Sequence, residues 1–246
     1  MEFPFKSGIL RAQGKYEESY NIALEGLQLL ESVPAGIITA CFYYYVAILQ
    51  KHILQQRGEA GRSSWIKKAA LDNFIKALQH SQASSVEQEF SATIADLRQR
   101  IHVLRAITIL GDFVNGKDFR AATPSDIKAA ETDLIAYHCM VIDGHIATNY
   151  HRICYLFAMS DFHVCQWGQQ QNTKEERSSE IETPDLLNGA FNLATEAKAL
   201  SMKFHFQELT NYANKRLAVI TEIIIKHKVS SLGPRCKNAW STVAAI

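Results

Sequence analysis

Seven histidines and cysteines fall within residues 138–165: His138, Cys139, His145, His151, Cys154, His163 and Cys165. His151-x-x-Cys154 sets two side chains one helical turn apart, and His163-x-Cys165 adds two more. Imidazole and thiolate are the donors that zinc prefers, so four ligands of suitable type lie in one short stretch. The competing reading is core. His151 and Cys154 stand among Ile153, Tyr155, Leu156 and Phe157, and the second pair lacks zinc-finger spacing. On this balance no metal ligand, cofactor site or catalytic residue is assigned. An enzyme or zinc-binding protein using segment 138–165 is kept as the alternative.

Other chemistry is thinner. Gly116-Lys117 has no upstream glycine at P-loop spacing, and Asp118 follows where a hydroxyl is needed. Neither H-E-x-x-H nor G-x-S-x-G occurs. The acidic pairs Glu17–Glu18 and Glu175–Glu176 fall in a helix start and a polar stretch, where solvation accounts for them. His138 and Cys139 form no dyad, because adjacent residues on a helix point apart.

The elements that carry these residues read as helices. Pro (5) and Gly (12) are scarce in 246 residues, and 47% are hydrophobic, which favours long helices over turn-rich β architectures. Tyr20, Ala23, Leu24, Leu27 and Leu30 recur at threes and fours behind Glu17–Glu18. Further helices are expected over 37–56, from Trp65 to Gln79, and from the capping boxes at Ser84–Ser85 to Leu110. Gly111 to Ala122 reads as a short or broken turn. Thr123-Pro124-Ser125-Asp126 is a sharp helix start, with Ile127, Ala130, Leu134, Tyr137 and Val141 as its stripe. An apolar helix to about Phe162 follows, then a mobile polar loop at 168–183, a helix from Thr183-Pro184 to Leu200, and a last helix over 203–228. Residues 1–228 read as one domain and 229–246 as a weakly ordered tail.

Lys and Arg number 26 against 25 Asp and Glu, so no basic surplus advertises a nucleic-acid surface. Lys67–Lys68 and Lys226–His227–Lys228 read as a solvated helix face and a helix end. The cysteines are five, without C-x-x-C, and several sit in apolar text, as reduced intracellular thiols do. No secretory leader is legible, and the apolar run 36–49 is shorter than the ~20 residues a membrane helix takes. An intracellular location, cytoplasmic or nuclear, is expected, with no membrane span.

In the segment SGILRAQGKYEESYNIALEGLQLLESVP, Gly14 and Tyr16 mark a helix junction ringed by Ser7, Ser19, Ala23 and Gly26. This unit resembles the tetratricopeptide repeat family, whose second helix carries a small residue, an aromatic four later and an alanine three after that. Those places hold Ser19, Ala23 and Gly26, then Ala70, Phe74 and Ala77, then Ala190, Ala194 and Ala197. Two of the three units lack the aromatic, none has the family's first-helix tryptophan, and the spacing exceeds 34 residues. The resemblance is clearest over residues 1–80.

It implies antiparallel helical hairpins stacked as a right-handed α-solenoid of eight or nine helices. It also implies a non-catalytic scaffold or complex subunit that holds a partner helix or peptide on its concave face. Arg11 on the first helix, with Tyr44 and Lys51 on the third, are the expected lining residues. Tyr43, Tyr44 and Tyr45 cannot all face one core, so at least one should reach a groove. The abrupt start inside a repeat suggests a longer array, or end-on docking to another helical subunit. A helical regulatory domain on nucleic acid, held through scattered lysines, is the third reading. Metal analysis of purified protein is expected to give less than stoichiometric zinc; one zinc per chain would move the assignment to segment 138–165.

Overall fold

The computed structural model describes residues 2–30, 32–58, 64–82, 91–111, 122–145, 147–174 and 184–231. Among these the chain forms nine helices and no strand. They are α1 (Glu2–Ala12), α2 (Tyr16–Leu29), α3 (Ile37–Gln56), α4 (Trp65–Ser81), α5 (Ser91–Leu110), α6 (Pro124–Ile142), α7 (Asn149–Lys174), α8 (Pro184–Lys203) and α9 (Gln207–Ser231). Each helix packs on the next in sequence, and α3 with α5, α5 with α7, and α7 with α9 also touch.

The helix ends follow from local chemistry. Thr123 accepts a hydrogen bond from the Asp126 backbone N–H at 3.2 Å, and Asp126 accepts one from the Thr123 N–H at 2.9 Å. With Pro124 in the first turn, this is the start that the sequence pattern anticipates. Gly14 ends α1 in the left-handed region at φ +76°, and the Lys15 N–H then reaches the Leu10 carbonyl at 2.9 Å. His205 takes the same conformation at φ +58° between α8 and α9, a position glycine would occupy without strain.

Close helix approach rests on small buried residues. Ser19, Ala23 and Gly26 are buried on α2, Ala70 and Ala77 on α4, and Ala190, Ala194 and Ala197 on α8. At the α1–α2 crossing the Ser7 hydroxyl donates to the Ser19 carbonyl at 2.9 Å, and the Ser19 hydroxyl to the Ser7 carbonyl at 2.7 Å. A larger core gathers Ile107, Leu134, Ile153 and Phe157 between α5, α6 and α7. Asp133 on α6 is buried, with His102 Nδ1 at 2.9 Å and Arg105 Nη1 at 3.2 Å, both from α5.

Several boundaries differ from the sequence reading. The loop expected at 168–183 is helical through Lys174, because α7 continues past buried Trp167; a glutamine-rich stretch needs no apolar face to extend a helix already nucleated. Residues 175–183 lie outside the described set. The last helix starts at Gln207, since the turn at His205 separates it from α8, and it runs to Ser231, so 229–231 are helical and not part of a weakly ordered tail. The rest of the expected tail, the Ser84–Ser85 caps and the expected turn at 112–121 are also outside the described residues. Val141 is exposed: the buried stripe of α6 stops at Tyr137. Helix α3 extends the short apolar run to 20 residues with mean hydropathy 1.3, enough by length and composition to cross a membrane. Here it packs against α2, α4 and α5, and its buried Gln50 bonds Tyr20 at 3.2 Å and Asn73 at 3.0 Å.

The strongest buried interaction joins α7 to α9. Arg216 donates from Nε and Nη2 to the two carboxylate oxygens of Asp161, both at 2.9 Å, and its guanidinium lies 4.5 Å from the Phe157 ring centre. Both side chains are almost wholly excluded from solvent. Asp161→Asn leaves a buried guanidinium without its counter-charge and should cost about 3–5 kcal/mol of unfolding free energy. The double change Asp161→Leu with Arg216→Met should cost less. Denaturant melts check both, and a loss under about 1 kcal/mol for the single change would contradict this role.

Candidate functional site

The odd-numbered helices surround a cavity of about 450 Å³. Its walls come from α1, α3, α5, α7 and α9, with Thr148 just ahead of α7, and none from α2, α4, α6 or α8. Arg11, Tyr44 and Lys51, the three residues expected from the sequence to line a binding face, all lie on it. The three consecutive tyrosines fan apart, as successive helical residues must. Tyr43 packs edge-on against His80, Tyr45 lies under the Arg11 guanidinium at 5.4 Å, and Tyr44 enters the cavity wall.

The two far ends of the chain meet here. Arg11 comes from α1, while Glu208, Tyr212 and Arg216 come from α9. Sequence reasoning missed the α9 contribution. Nothing in a local pattern says that the last helix faces the first. Arg100 of α5 was also missed. It pairs with Asp96 at 2.7 Å, one turn earlier, and hydrogen-bonds Tyr44.

The histidine and cysteine segment divides. His151 and Cys154 line the cavity, whereas Cys165 lies in the main core and His163 packs under α8, where a Cβ on Gly189 would meet its Nδ1 at 2.7 Å. Cys139 and His145 are exposed, and no three His, Cys, Asp or Glu side chains converge among the described residues. His151, Cys154, His163 and Cys165, the four donors of the alternative reading, are therefore not gathered at one point among the described residues.

Burial dominates the titration of the cavity's ionisable groups. Burial pushes the Cys154 thiol up to about 11, so it is protonated at neutral pH and a poor nucleophile. Burial also raises Tyr44 and Tyr150, which remain neutral phenols able to donate hydrogen bonds. His151 is lowered to about 4, first by burial and then by Arg100, against the opposing pull of Asp96. Its Nδ1 lies 2.7 Å from the Thr148 hydroxyl and 3.4 Å from Asp96 Oδ1.

No protein-family model, curated protein or solved structure matches this chain. The site stands on its own geometry.

An imidazole held near 4 in the fold and near 6.5 when unfolded takes up its proton first in the unfolded chain. Its contribution is whole above about pH 6.5 and is lost as pH falls toward 4. His151→Gln should flatten the stability profile across that window by about 2–3 kcal/mol. Denaturant melts at pH 7, 5.5 and 4 check this; profiles of equal slope in both proteins would contradict it.

Proposed function

We propose that this chain is a tetratricopeptide-like right-handed α-solenoid that works as a non-catalytic protein-binding scaffold or complex subunit. Its hairpins are α1–α2, α3–α4, α5–α6 and α7–α8, closed by α9. The observation that carries this reading is the alternation itself: only odd-numbered helices line the cavity, as an inner layer of stacked first helices would. The small buried residues on α2, α4 and α8 support the stacking.

The occupant is a helix or an extended segment of a partner protein. A helix can lay the side chains of one face into a cavity of about 450 Å³ that opens to solvent. An extended strand of a few residues uses the same space with its backbone and alternate side chains engaged. Arg11, Tyr44 and Lys51 are proposed as contact residues. The protonated Cys154 and the neutral, hydroxyl-bonded His151 argue against a nucleophile and base in the same walls.

The test is affinity capture with the intact chain, identification of the partner by mass spectrometry, and remeasurement with that partner purified. Combining Arg11→Ala, Tyr44→Phe and Lys51→Ala should weaken binding about tenfold or more. Helicity by circular dichroism should be unchanged. Equal affinity in a folded triple variant would overturn the assignment.

A further inference from the structure

Within the scaffold reading, on which this inference rests, one side chain decides what the cavity can hold. His151, in the first turn of α7, is only 6% exposed, yet its ring is part of the cavity wall. Its two nitrogens have different surroundings. Nδ1 lies 2.7 Å from the Thr148 hydroxyl and 3.4 Å from Asp96 Oδ1. Among the described residues no hydrogen bond reaches Nε2, and Nε2 is not one of the atoms sealed from solvent.

The groups behind the ring place its proton. Arg100 holds Asp96 Oδ2 at 2.7 Å, but Asp96 Oδ1 is buried with no hydrogen-bond partner. A bare Nδ1 would set its lone pair against that carboxylate oxygen. A proton on Nδ1 instead brings the oxygen its nearest donor. The Thr148 oxygen accepts the His151 backbone N–H at 3.4 Å, which keeps the ring seated at the helix start. Burial first, and then Arg100, hold the imidazole neutral. Nε2 is therefore a bare acceptor turned toward the cavity.

Most other polar groups of the walls are engaged with one another or with groups behind them. Arg100 bonds Tyr44, Asp161 holds Arg216, and Tyr150 bonds Cys154. Ile48, Leu104, Ile107, Phe157 and Leu209 make much of the remaining wall apolar. An occupant suited to these walls has an apolar body and one donor. Ammonium and guanidinium groups donate, but the burial that keeps His151 neutral weighs equally on a partner's charge. Hydroxyl and amide groups bring acceptors of their own, whereas indole is a donor only. A tryptophan side chain also buries a large apolar area, roughly 150–250 Å².

We propose that the cavity takes a tryptophan side chain of the partner segment, with its indole N–H donated to His151 Nε2 and its ring laid on the apolar wall. Asp96 is a positioning residue: it fixes the proton on Nδ1 and so leaves the acceptor on Nε2.

The test uses the full chain with isotope-labelled histidine and two probes, indole and benzothiophene, which share a shape but not the N–H. Two-bond proton–nitrogen correlations of the free protein should place the His151 proton on Nδ1. Indole should shift the Nε2 resonance and bind about fivefold more tightly than benzothiophene. Asp96→Ala, outside the cavity wall, should release the tautomer and bring the two affinities together. His151→Phe should also remove the preference, so the unfolding of one variant leaves the other to decide; circular dichroism reports which are folded.

A proton on Nε2 in the unaltered chain would overturn the proposal. So would equal binding of the two probes, an unmoved His151 signal, or a preference for indole that survives in a folded variant. If the triple variant loses its purified partner while indole shows no preference, the scaffold reading stands and the tryptophan assignment fails.

Discussion

Everything in this structure depends on how closely its helices can approach. Ser19, Ala23, Gly26, Ala70, Ala77, Ala190, Ala194 and Ala197 are all buried on even-numbered helices. Side chains of this size let neighbouring backbones come together, and the larger apolar groups of α3, α5 and α7 then fill the space between. Ala130 belongs to the same set, and Ala70, Ala130 and Ala190 stand sixty residues apart in succession. On α6 the third place holds Tyr137, whose ring stacks on Tyr155 of α7 at 4.5 Å. A large ring there fills a gap that an alanine elsewhere closes.

The odd-numbered helices supply the cavity walls. Their inward side chains are mixed: aliphatic at Ile48, Leu104 and Ile107, aromatic at Tyr44 and Tyr150, charged at Arg11, Lys51 and Arg100. A purely apolar lining would collapse into core. Charged groups that are paired behind the wall, as Arg100 with Asp96 and Arg216 with Asp161, keep the space open without leaving buried charge uncompensated. The Asp161–Arg216 pair has a second consequence. It holds α9 against α7 and so carries Glu208 and Tyr212 to the cavity rim.

The helices, the caps and the buried small residues were legible in the sequence because they are local. Thr123-Pro124-Ser125-Asp126 states a helix start in four residues, and Ala70, Phe74 and Ala77 share one helical face wherever that helix is placed. Arg11, Tyr44 and Lys51, which the repeat resemblance singles out, are among the residues that line the cavity. What lay beyond local pattern was closure. Nothing near Glu208 or Arg216 indicates that α9 faces α1. Polarity also misled at 168–174, where Gln169 reaches the Ala122 carbonyl at 3.3 Å from within a helix. His163 and Cys165 share a helix with His151 and Cys154 but point into different neighbours.

The central claim is that the first and last helices face one another across a single cavity. Spin labels at positions 11 and 208, read by pulsed electron–electron double resonance, test it most directly. Four successive odd-helix steps of 8–10 Å would put α1 and α9 about 32–40 Å apart in a straight array. The account predicts one narrow distance distribution below about 25 Å, given a shared cavity of about 450 Å³. A distribution centred near 40 Å would contradict it.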